Sequence, residues 1–77
     1  MNWQQSIHDV RKAHLRASQA ELAREWHMAT HHYLYCYEQS RLARDLRAVR
    51  FFAAKLSHSY RAMGLGSKAS YYRSLAG

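Results

Sequence analysis

Arg44, Arg47, Phe51, Lys55 and His58 follow one another at steps of three and four residues. On an α-helix, which turns about 100° per residue, they share an arc of about 80°. Arg50 and Arg61 flank them. The arc lies opposite the apolar seam of the same segment, so it presents a phenyl ring among cations. Such a ring can anchor an interface while the cations meet an acidic surface. The same layout suits phosphate contact combined with base stacking. Lys68, Tyr71, Tyr72 and Arg73 are candidates to extend the face. The competing arrangement packs Phe51 beneath the last helix and leaves the arginines merely solvated.

Other chemistry finds less support. His27 and His31 are one helical turn apart, as are His32 and Cys36, a spacing that metal ligands often use. The two pairs point more than about 100° apart around a helix, and a structural zinc needs four ligands. Met28 also follows His27 where the zinc-protease helix requires glutamate. The expectation is therefore no metal and no cofactor. A Cys36 nucleophile would need a positioned base and an oxyanion hole, yet Cys36 falls on an apolar stripe, where thiols are inert. Asp9, Glu21, Glu25, Glu38 and Asp45 form no paired-carboxylate pattern, and there is no glycine-rich phosphate loop. The sequence thus points away from catalysis.

The charge distribution favours a binding role. Formal net charge is +7. Residues 1–46 carry six cations against five anions, whereas residues 47–77 carry six cations and no acid. A one-signed half attracts anionic partners and repels copies of itself. An acidic protein surface is the leading partner, nucleic acid the alternative, and a homodimer remains open. No window approaches the roughly 18 apolar residues of a membrane span, and residues 1–5 lack a signal-peptide layout. With a single cysteine, these features lead us to expect a cytoplasmic protein.

The elements that position these residues are helical. Seventy-seven residues suit a single domain. Proline is missing and all three glycines lie in the last fourteen positions, so residues 2–63 contain no strong helix breaker. Periodicity predicts an all-α bundle of three longer helices plus a short C-terminal one. The first helix runs from about residue 2 to 17, with Trp3, Ile7, Val10, His14 and Ala17 on one side; His14 is expected there as a buried, hydrogen-bonded imidazole. Ser18 and Glu21 match a capping box and mark a boundary, a continuous helix being the alternative. The second helix, about 19–37, carries Leu22, Trp26, Ala29, Tyr33 and Cys36, with Met28, Leu34 and Tyr35 opposite. Large side chains on both faces place it at the bundle centre or at a dimer contact. The third, about 41–63, has a seam of Leu42, Leu46, Val49, Ala53, Leu56, Tyr60 and Met63, widened by Phe52. Gly64-Leu65-Gly66 is a stop signal, and Ser67 is expected to cap a last helix from 68 to 75.

Two local likenesses accompany this pattern. Ser67–Leu75 resembles the recognition helix of tetracycline-repressor proteins, which would imply entry into a DNA major groove; it covers nine residues, with Tyr60 where a small residue is usual and Gly66 as an extra residue in the turn. Residues 53–72 resemble part of a tetratricopeptide repeat through Leu56, Ser57, Tyr60 and Ala69, which implies paired antiparallel helices. Arg73 stands at that repeat's later aromatic position and no proline follows. Neither likeness supplies a family.

From residues alone, the expected function is that of a small basic binding protein. It would serve as an adaptor, regulator or inhibitor, docking the third-helix face onto an acidic protein, as small mobile-element proteins that block a host complex do. Nucleic-acid binding through the same face is the alternative. A purely structural role predicts that reversing Arg47 and Lys55 leaves function intact.

Overall fold

The computed structural model describes the backbone from residue 3 and the side chains from residue 7, in both cases through Gly77. These residues form four α-helices: α1 Trp3–Leu22, α2 Trp26–Leu42, α3 Leu46–Ala62 and α4 Gly66–Leu75. The chain is a helical bundle of three longer helices and a short fourth. Each helix packs on the next in sequence. Side chains also bridge α1 to α3 through His14 and Phe51, and α2 to α4 through Tyr37 and Tyr72. The helices therefore zigzag in two layers, and the molecule measures only 15 Å in its thinnest direction.

The three turns are copies of one another, twenty residues apart. Arg24, Arg44 and Gly64 all take positive φ, at 58°, 57° and 77°. Each donates its N–H to the carbonyl three residues back. The following residue (Glu25, Asp45 or Leu65) donates to the carbonyl five residues back, at 2.8, 3.0 and 2.9 Å. This is the Schellman closure, which satisfies the last carbonyls of a helix. The same three residues are also the N-caps of α2, α3 and α4, so no linker intervenes. Only Asp45 adds a side-chain cap, accepting from the Ala48 N–H at 3.1 Å.

This geometry revises the expected boundaries. Ser18 caps nothing; α1 runs through it to Leu22, and Glu21 instead accepts the Tyr33 hydroxyl proton at 2.6 Å. Ser67 is likewise not a cap, because Leu65 holds that position without a side-chain bond. Leu22, Leu42 and Leu46, expected in the seams, flank the turns and stand 86%, 66% and 65% exposed. A seam drawn through a chain reversal projects residues onto a helix that has already ended.

The core is repeated as well. Ala13, Tyr33 and Ala53 are twenty apart and buried, as are Ala17, Tyr37 and Ser57, and Ala20, Ser40 and Tyr60. Small residues on one helix thus meet large ones on the next, the alternation that lets layers interdigitate. The buried stripe of α1 is Ala13, Ala17 and Ala20, rotated from the expected one: Val10 is only partly buried and Ile7 is substantially exposed. Trp3, also placed in that stripe, has a side chain outside the described residues. At α2 the expectation of a central helix holds. Tyr33 and Cys36 are wholly buried between neighbours, Leu34 packs on the core, and Met28 and Tyr35 face outward.

The glycine turn yields a direct test. A Cβ at Gly64 would meet nothing within 4 Å, so Gly64→Ala feels only the backbone cost of an L-residue at positive φ, about 1 kcal/mol. We expect a correspondingly lower midpoint in urea denaturation with an unchanged slope. An unchanged midpoint would contradict the closure described above.

Candidate basic interface on the third helix

The site is built on the outer ridge of α3. Asp45 fixes where the helix starts, and Phe52, Ala53, Leu56, Ser59 and Tyr60 turn its opposite side into the core. That rotation leaves Arg47, Arg50, Phe51, His58 and Arg61 exposed in one strip.

Phe51 is 44% exposed. Its inner edge meets His14 at 5.4 Å and Phe52 at 5.2 Å, both edge to face, and Lys55 Nζ lies 5.6 Å from its centroid. The ring is therefore held from below and open above. It leans toward α1 and not, as in the competing arrangement, beneath the last helix. His14 lies half-buried against Phe51, Phe52 and Tyr33.

The other predicted residues divide into two groups. His58 stands edge-on to Trp26 at 5.4 Å, which ties the ridge to the start of α2. Arg61, Arg73, His58 and Ala54 line a shallow depression of about 240 Å³ between α3 and α4, so Arg73 does extend the face. Arg44 lies in the α2–α3 turn, next to the ridge but not on it. Lys55 is not a free cation: its Nζ is 4.0 Å from Glu21 Oε1, with both side chains partly buried. Glu21 also takes the Tyr33 hydroxyl, whose pKa burial and that bond together push up to about 12.

Lys68, Tyr71 and Tyr72 do not join the face. They gather around Tyr60, which lies half a turn of α3 from Phe51. Tyr72 stacks on Tyr60 at 5.5 Å, Lys68 Nζ is 5.4 Å above the same ring, and Tyr71 meets Tyr72 at 5.0 Å. Burial raises the pKa of both Tyr60 and Tyr72. These residues hold α4 to α3, together with a buried bond from Ser57 Oγ to the Ala69 carbonyl at 2.8 Å. Ser57 and Ala69 are two of the positions that carried the tetratricopeptide likeness, and their smallness permits that close approach.

Elsewhere, Cys36 is wholly buried, its Sγ 3.6 Å from the Val10 carbonyl. Burial pushes its thiol up to about 11, so little thiolate exists near neutrality. Among the described residues, no three His, Cys, Asp or Glu side chains converge as metal ligands. No helix among them is long and apolar enough to cross a membrane. Comparison with protein-family models, curated proteins and solved structures finds no match to this chain.

Proposed function

We propose that this protein works by binding and not by catalysis, docking the outer ridge of α3 onto an acidic surface of another protein. The observation that carries this reading is Phe51, a phenyl ring half out of the core with Arg47, Arg50 and His58 beside it. Removing such a ring from water on contact gives affinity, while the cations select an acidic partner and speed the encounter. An adaptor, regulator or inhibitor of a larger assembly acts in this way.

Nucleic acid is the second reading, favoured by four guanidiniums (Arg47, Arg50, Arg61 and Arg73) along one acid-free strip. The two readings differ in salt dependence. Neutralising four phosphates gives log affinity a slope of about −4 against log salt. Anisotropy titrations of labelled single- and double-stranded oligonucleotides at two salt concentrations measure it. Under the protein-docking reading, oligonucleotide binding is weak, vanishes as salt is added and is indifferent to Phe51→Ala. Tight binding near physiological salt, lost on reversing Arg47 and Arg50 to glutamate, would transfer the function to nucleic acid.

A further inference from the structure

A second basic site lies on the other side of the molecule, in the groove between α1 and α2. Lys12 and Arg16, one turn apart on α1, point about half a turn away from His14 and hence from the Phe51 ridge. Facing them from α2 are His31, His32 and Tyr35, and together these residues line a groove of about 330 Å³. The His31 and His32 rings stand 5.1 Å apart, edge to face. Acids sit only toward the two ends: Asp9 lines one, and Glu25 lines a neighbouring depression that shares Arg16 and His32. The centre is thus a gathering of cationic and protonatable groups with no carboxylate among them. That mutual repulsion is felt at His32, whose pKa is lowered by burial, then by His31 and by Arg16.

We propose that this groove binds a phosphate monoester, with Arg16 and the His31–His32 pair around the phosphate and Tyr35 along the organic group. Clustered like charges cost the free protein and are relieved by an anion. A guanidinium matches two phosphate oxygens at once, and an imidazole that gains a proton becomes a further donor. Binding and protonation are consequently coupled: the anion favours protonated His31 and His32, and acidification favours the anion.

The test is an NMR pH titration of all six histidine Cε1–H signals, in inorganic phosphate and in chloride at matched ionic strength. Phosphate is expected to move the His31 and His32 midpoints to higher pH and leave His8, His14, His27 and His58 in place. Arg16→Gln, checked for helicity by circular dichroism, should raise the His32 midpoint in chloride and abolish its response to phosphate. Midpoints unmoved by phosphate, all six moving alike, or an undiminished response in Arg16→Gln would each overturn the proposal. Glycerol phosphate and a phosphoserine peptide, compared at equal concentration, then distinguish a free metabolite from a phosphorylated chain as the source.

Discussion

Leu56→Ala is expected to leave this protein largely unfolded at ambient temperature. Leu56 is wholly buried on the inner side of α3, where truncating a leucine costs about 2–5 kcal/mol through lost burial and the cavity left behind. Small domains have about 5–15 kcal/mol of stability in total, and a chain of this length belongs at the lower end. Leu42→Ala, the same substitution at an exposed turn position, should stay within about 0.5 kcal/mol of the parent. Urea melts of the two variants check the claim, because both leucines belong to one apparent seam in the sequence. Equal losses would mean that α3 does not begin at Asp45.

Phe51→Ala is expected to abolish function while the fold persists. Truncating a central aromatic anchor commonly costs at least about 2 kcal/mol of binding, roughly thirtyfold in affinity. The effect on stability is smaller, because nearly half of the ring already faces water and only the contacts to His14 and Phe52 are lost. Reversing Arg47 and Arg50 should slow association and sharpen salt sensitivity more than it speeds dissociation. Those two are better probes than Lys55: a glutamate there would face Glu21 and disturb the α1–α3 contact as well as the surface. Far-ultraviolet circular dichroism and a urea melt of Phe51→Ala separate loss of binding from loss of fold.

Much of the fold was legible, and the gaps have physical causes. The absence of proline and the late glycines announced helices, and the inner side of α3 from Val49 to Tyr60 was read correctly because a long helix keeps its phase. Gly64 marked its turn. The other two turns were hidden because Arg24 and Arg44 occupy the left-handed position that glycine usually takes. A signal did exist: Leu22-Ala-Arg-Glu-Trp26 and Leu42-Ala-Arg-Asp-Leu46 are near copies twenty residues apart, and that period locates both. Ser18 and Glu21 misled because a capping box and a mid-helix pair share their spacing; only the Tyr33 hydroxyl, from the neighbouring helix, shows which one is present.

The candidate site divides along the same line. The exposure of Arg47, Arg50, Phe51, His58 and Arg61 follows from the rotation of one helix, which periodicity supplies. Whether Lys68, Tyr71 and Tyr72 join them depends on how α4 rolls against α3, and the ring stack on Tyr60 decides that roll. The partial neutralisation of Lys55 by Glu21 and the groove of Arg16, His31 and His32 both arise between helices. No period within a single segment encodes them.

The most direct test of the central claim replaces Phe51 with a photo-crosslinking phenylalanine analogue in living cells, beside the same replacement at Tyr35 on the other side of the molecule. The account predicts a discrete adduct with an acidic protein from position 51, lost when Arg47 and Arg50 are reversed, and no such adduct from position 35. Identical adduct patterns from the two positions, or an adduct at 51 that survives the charge reversal, would contradict it.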